Sequence, residues 1–220
     1  MIKHIHLDVC DSTQDVLKEQ TRAVNETLLV STNKQVKGRG RGQNTWEDLP
    51  GTLCFSLEVK PHQTMSFTAL EISLLVAQFF ELEGMKLGLK WPNDLWNLNK
   101  KKCGGILVQG GDSRLIAGIG INLFSDDPLF GGVYPSSFEL DKKAWSLKIA
   151  EYILTQRYTH TEALRRDWEL RCCHVGKAVT ISEGKDVFEG IFKGLGEFGE
   201  AILSTKAGDK KIFNGTLRII

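Results

Sequence analysis

Four polar clusters in this chain combine residue types that could do chemistry. The longest is Lys37-Gly38-Arg39-Gly40-Arg41-Gly42-Gln43-Asn44-Thr45-Trp46. Glycines alternating with two arginines give a segment of low intrinsic order, with positive φ available and N–H donors exposed, so it suits wrapping around a compact anion. Arginine adds a permanent charge and a fork matched to carboxylate or phosphate. The other clusters are Asp11-Ser12-Thr13-Gln14, the run Lys90-Trp91-Pro92-Asn93-Asp94, and Lys102 just before Gly104-Gly105. Singly, each also has a plain structural use: a glycine turn, a helix cap, a strand ended by proline and a solvated lysine run.

The elements expected to position these clusters alternate between strands and helices. Residues 2 to 9 alternate as a strand that ends at an N-cap signal, Asp11-Ser12-Thr13, for a short helix to about Gln20. Strands are expected at Thr27 to Thr32, Gly51 to Lys60 and Met85 to Trp91, the last halted by Pro92. Phe67 to Leu82 is apolar on almost every face, which predicts a helix buried against a sheet and stopped at Gly84. Gly105 to Gln109 and Leu115 to Phe124 read as a hairpin about Gly110-Gly111-Asp112, and residues 125 to 140 carry loop chemistry. Trp145 to Arg171 has helical spacing broken near Thr159, and its aromatics read as core. Beyond His174-Val175-Gly176 the texture changes to short β pieces at Ala178 to Ile181, Asp186 to Lys193, Ala201 to Ser204 and Lys210 to Phe213, parted by glycine turns. Two domains are expected, residues 1–174 and 175–220. The four clusters fall at ends of expected strands, where open α/β sheets place their ligands.

Composition narrows the function classes. Lys plus Arg of 28 against Asp plus Glu of 27 leaves a net charge of +1, which argues against a protein that coats nucleic acid or an anionic membrane. The five cysteines form no CxxC pair and no zinc set with the five histidines, which points to reduced thiols in a cytoplasmic location and to no metal-binding cluster of side chains. No signal peptide or membrane span is expected, since nowhere do about 18 apolar residues run together.

In order along the chain, Asp11-Ser12-Thr13, Gly38-Arg39-Gly40-Arg41 with Trp46, Lys90-Trp91-Pro92-Asn93-Asp94-Leu95, Lys102 with Gly105-Ile106-Leu107, and Gly118-Ile119-Gly120-Ile121-Asn122-Leu123 resemble the biotin–protein ligases. The resemblance extends over essentially the whole chain, and Gly194-Leu195-Gly196-Glu197-Phe198-Gly199 looks like the family's small C-terminal domain. It implies an α/β (α+β) fold: a mixed β-sheet with flanking helices in a class II synthetase-like catalytic domain, followed by a small SH3-like β-barrel. The implied reaction has two steps. Biotin's carboxylate attacks the α-phosphate of ATP to give biotinyl-AMP and pyrophosphate, with Mg2+ accompanying the nucleotide; a lysine of a biotin carboxyl carrier domain, as in acetyl-CoA carboxylase, then attacks the acyl carbon and releases AMP.

By the same resemblance, Lys102, Arg41 and Asp94 are the expected catalytic residues, with Asp94 orienting or deprotonating the incoming lysine. Ser12, Thr13, Gln14, Gln35, Arg39, Gly40, Arg41, Lys102, Gly105 and Gly118 are expected around biotin. Arg39, Trp46, Lys90, Asn93 and Asn122 are expected at the nucleotide or its magnesium, with Trp46 and Trp91 walling the adenylate from water. Two departures stand out: Gln14 occupies a position where many members have asparagine, and in Gly42-Gln43-Asn44 the loop glycine is displaced by one residue. The chain has no room before Ile2 for a helix-turn-helix, so a monofunctional ligase is expected rather than a repressor; a homodimer is left open. The nearest alternative is a lipoate ligase or octanoyltransferase of the same fold. A nucleic-acid module gripping phosphates through Lys34, Lys37, Arg39 and Arg41 is a second, which leaves Asn93, Asp94 and Asn122 without a task.

Overall fold

The computed structural model describes residues 1–21, 23–111 and 114–220. Its first part runs β1 (Ile2–Cys10), α1 (Thr13–Glu19), β2 (Thr27–Gln35), β3 (Gly38–Arg39), β4 (Thr45–Trp46), β5 (Thr52–Val59), α2 (Thr68–Leu82), β6 (Gly88–Lys90), β7 (Asp94–Trp96), β8 (Lys102–Gly111) and β9 (Arg114–Asn122). Two helices follow, α3 (Lys142–Thr155) and α4 (Thr161–Arg171), then β10 (Ala178–Glu183), β11 (Asp186–Leu195), β12 (Ala201–Thr205), β13 (Gly208–Ile212) and β14 (Thr216–Ile219).

Seven strands form one sheet in the order β1-β2-β5-β9-β8-β7-β6. Only β1 and β2 pair in parallel, through the crossover that contains α1; the other neighbours are antiparallel. Strand alternation divides the two faces. Leu28 and Val30 meet Leu17 of α1 and Ile116 in a small core. Leu29, Leu53, Phe55, Leu57, Ile119 and Ile121 turn the other way and join α2, α3 and α4 in the main core. The window Met65–Leu82 has a mean hydropathy of 1.4 and the length to cross a bilayer, but 67% of it is buried inside the molecule, as its all-round apolar sequence requires of a core helix.

Several boundaries differ from expectation. The strand predicted over Met85 to Trp91 shrinks to β6, because Trp91-Pro92-Asn93 makes the turn of a hairpin that places Lys90 opposite Asp94. β3, β4, β7 and β14 have no counterpart among the expected strands. The first helical segment starts at Lys142, where Asp141 caps it by accepting a hydrogen bond from the Ala144 N–H at 2.9 Å. The β8–β9 hairpin is present, with Gly110 opposite Leu115; the expected tip residue Asp112 lies outside the described residues. The C-terminal part is an antiparallel five-stranded sheet ordered β13-β12-β11-β10-β14, and among the described residues no pairing of β13 with β14 closes it into the expected barrel.

This second sheet is docked firmly. The Trp91 indole N–H donates to Gly199 O at 3.1 Å, the Leu195 N–H to Glu169 Oε1 at 2.7 Å and the Ser66 hydroxyl to Phe198 O at 2.6 Å. His174, fully buried, packs on Phe192 with ring centroids 4.3 Å apart.

Candidate active site

A cavity of about 850 Å³ opens on the α1 side of the seven-stranded sheet, between the β3–β4 loop and the C-terminal sheet. Its floor follows from glycine placement. In the strand register Cys54 lies opposite Gly120 and Ser56 opposite Gly118, while Gly105 pairs with Gly120 on the other side. Side chains are missing at three neighbouring positions on one face, so other groups come down close to the backbone. A Cβ on Gly120 would lie 2.4 Å from the Trp46 ring, and one on Gly118 would lie 2.8 Å from the Gln14 carboxamide.

The wall nearest α1 is held by a neutral network. Gln35 Oε1 accepts from the Thr13 N–H at 2.9 Å and from the Thr13 hydroxyl at 3.2 Å, and the Thr13 hydroxyl also lies 2.8 Å from Ser56 Oγ. The Gln35 N–H donates to Asp48 Oδ2 at 2.5 Å. Gln14 Nε2 donates to Leu107 O at 2.9 Å. Ser12 is the N-cap residue of α1 but makes no side-chain capping bond, and it lines the cavity.

The opposite wall is charged. Asp94 Oδ1 lies 2.6 Å from Lys102 Nζ and Asp94 Oδ2 lies 3.5 Å from Lys90 Nζ. Lys102 Nζ also sits 5.7 Å from the centroid of a Trp46 ring, within cation–π range. Burial lowers the pKa of the Lys90 ammonium from its usual value, with Asp94 opposing that change. Arg41 donates to Asn93 Oδ1 at 3.3 Å and to Gly215 O at 2.8 Å, and burial lowers its pKa too. Asn93 donates in turn to Ile106 O at 2.5 Å. Arg39 is turned outward to Asp15 of α1, with Nη2 2.5 Å from Oδ1.

Ser12, Thr13, Gln14, Gln35, Arg39, Gly40, Arg41, Trp46, Lys90, Asn93, Asp94, Lys102, Gly105 and Gly118 all line this one cavity. Asn122 does not: it is 3% exposed, and its Oδ1 accepts from the Thr52 hydroxyl at 2.7 Å. Trp91 borders the cavity but is 1% exposed, with its N–H spent on Gly199, so it supports the wall rather than covering a ligand. The displaced loop glycine is resolved by a shifted turn. Gly42 takes φ 62, and Gln43 is not among the residues with positive φ. Sequence reasoning missed Cys54 and the C-terminal segments Ser182–Gly184 and Asn214–Leu217, which also line the cavity. The signal available for the two segments was a glycine turn in each. Among the described residues no group of three His, Cys, Asp or Glu side chains could hold a metal ion.

The arrangement can bring two anions together against four cations, Arg39, Arg41, Lys90 and Lys102, above a glycine floor with an indole as its cover. Known proteins match this chain along its length. The bifunctional ligase/repressor BirA of Bacillus subtilis is 29% identical over 240 residues, covering 98% of this chain and 73% of that protein. The biotin–[acetyl-CoA-carboxylase] ligase of Paracoccus denitrificans is 25% identical, covering 92% and 94%. The structure of biotin protein ligase from Aquifex aeolicus in complex with biotin and ATP superposes with a TM-score of 0.81 at 26% identity, covering 99% of each chain. The family model for the biotin/lipoate A/B protein ligase family matches residues 7–126, and the chain belongs to that family.

Proposed function

We propose that this chain is an ATP-dependent biotin–protein ligase that makes biotinyl-AMP and transfers the biotinyl group to a lysine of a carrier domain. The single observation that supports it most is the Lys90–Asp94–Lys102 cluster facing the glycine floor beneath Trp46, in a chain whose relatives are biotin ligases.

In the first step a carboxylate oxygen of biotin attacks the α-phosphorus, and the bond to the β-phosphate oxygen breaks to release pyrophosphate. The two reactants repel each other as anions, so fixed cations must offset that repulsion. Lys102, aimed by Asp94, bridges biotin's carboxylate and the α-phosphate; Arg39 and Arg41 hold carboxylate and phosphate oxygens. Ser12, Thr13 and Gln35 hydrogen-bond the ureido ring, Gly118 lets Gln14 lie against the sheet beside it, and Gly105 keeps the strand clear next to Lys102 and Trp46. Trp46 covers the adenylate, whose mixed anhydride hydrolyses readily in water. Asn93 and Lys90 set the nucleotide side, while Asn122, bonded to Thr52 outside the cavity lining, is left without a ligand contact. A magnesium ion accompanying the nucleotide would offset part of the phosphates' charge, and it would be held by the phosphates rather than by a side-chain cluster of the described residues.

In the second step the carrier lysine, as a neutral amine, attacks the acyl carbon; the bond to the phosphate oxygen breaks and AMP leaves. The amine is nucleophilic only after losing a proton. With an ammonium at each oxygen, Asp94 first serves to place cations, and its carboxylate is open to the incoming lysine only after one of them shifts to the substrate. Residues 1–174 carry the chemistry in this reading, and residues 175–220 close one wall.

Calorimetric titration tests it. Biotin should bind with heat that changes when ATP is present, and lipoate should be silent; lipoate binding with no response to biotin would overturn the assignment in favour of the lipoate branch.

A further inference from the structure

The cavity is electrostatically matched to its first two substrates and mismatched to its third. Arg39, Arg41, Lys90 and Lys102 favour a carboxylate and a triphosphate, but the carrier's lysine arrives as an ammonium. Once pyrophosphate has left, little negative charge remains to draw a cation inward. Two carboxylates line the cavity, Asp94 and Glu183. Asp94 is held by Lys102 at 2.6 Å and Lys90 at 3.5 Å, and its side chain is 16% exposed. Glu183 is exposed and makes no ion pair or side-chain hydrogen bond among the described residues.

Its placement suits a cation entering from outside. Glu183 ends β10 at the turn before β11, where Gly184 takes φ 61. Ser182 pairs with Thr216, and a Cβ on Gly215 would lie 2.7 Å from Ser182 O. Since Gly215 O accepts from Arg41, the Glu183 turn is tied to the loop that covers the cavity. Lys185 follows at the tip and does not line the cavity.

Resting on the ligase reading above, we propose that Glu183 is the acceptor-guiding residue: its carboxylate at the cavity mouth pairs with the carrier lysine's ammonium and leads it toward the acyl carbon. It is a positioning residue. With no partner among the described residues, the Glu183 carboxylate is available to an incoming cation, an attraction that salt screens.

The test compares Glu183→Gln, Glu183→Lys and Glu183→Asp with the unchanged chain in three assays: biotin-dependent pyrophosphate exchange, transfer to a purified carrier domain, and release of biotinyl-AMP to hydroxylamine, an uncharged nucleophile. In Glu183→Gln the kcat/KM for the carrier should fall up to about fivefold relative to the hydroxylamine rate, mainly through KM, with a weaker dependence on ionic strength. Glu183→Lys should fall further and Glu183→Asp should recover. Carrier and hydroxylamine rates falling together, or a carrier kcat/KM unchanged in Glu183→Gln, would overturn the proposal. An unchanged chain that exchanges no pyrophosphate would instead overturn the ligase reading, and this proposal with it.

Discussion

Arg39 turns outward to Asp15, guanidinium Nη2 to carboxylate Oδ1 at 2.5 Å, so the first arginine of the loop is tethered to α1. Both side chains are more than 40% exposed, and exposed pairs contribute about 1 kcal/mol at most. Asp15→Asn should therefore barely alter thermal stability. It should tighten ATP binding by up to about fivefold, because an internal carboxylate no longer competes for the fork. Calorimetry decides it: weaker ATP binding would mean that Asp15 preorganises Arg39 instead.

Lys102 and Asp94 make separable predictions. Lys102→Ala should lower biotin-dependent pyrophosphate exchange by at least about a hundredfold, the scale for loss of one group stabilising transition-state charge. Asp94→Asn leaves the ammonium present but unaimed, so exchange should fall less. Equal losses in the two variants would contradict this, showing that an unaimed ammonium contributes no more than a missing one.

The contact between Gly120 and Trp46 can be tested by adding one methyl group. Since a Cβ at 120 would lie 2.4 Å from the indole, Gly120→Ala should lift Trp46 off the floor. Tryptophan fluorescence should shift, and pre-formed biotinyl-AMP should leak at least about tenfold faster as water gains access. A fluorescence shift with an unchanged leak rate would remove Trp46 from the role of cover.

His174 gives the fold an acid-sensitive joint. Burial, reinforced by Lys90 and Lys177, pushes its pKa down from 6.5 to about 3. Between those values the unfolded chain binds a proton that the folded chain does not, so stability is full above about pH 6.5 and is lost as pH falls toward 3. The slope from this residue approaches roughly 1.4 kcal/mol per pH unit. His4, lowered to about 4, adds a smaller contribution because it is only half-buried. Urea midpoints should therefore drop between pH 7 and pH 5, and His174→Phe, which keeps a ring against Phe192, should flatten that drop. The same drop in both proteins would assign it to other groups.

The site was readable where its chemistry is contiguous in sequence. Gly38 to Trp46 and Lys90 to Asp94 each present several functional groups within a few residues, and they meet as expected at the cavity. Positions fixed by register were not readable. Asn122 lies two residues beyond Gly120 on β9, yet Thr52, paired opposite it, claims its carboxamide. Trp91 reads like a cover, but the docking of the second sheet buries it and gives its N–H to Gly199. Pro92 looks like the end of a strand and is instead inside a hairpin turn, which is why β7 and the opposition of Lys90 and Asp94 were hidden. Glu183 and Gly215 reach the cavity only through packing between the two sheets, to which local sequence is blind.

One measurement bears most directly on the central claim. The purified chain is incubated with ATP, magnesium, biotin and a biotin carboxyl carrier domain, and the carrier is read by mass spectrometry and streptavidin blot. The carrier should gain one biotinyl group on a single lysine, in a reaction that requires ATP. No biotin transfer, with efficient attachment of lipoate in the same mixture, would contradict the account.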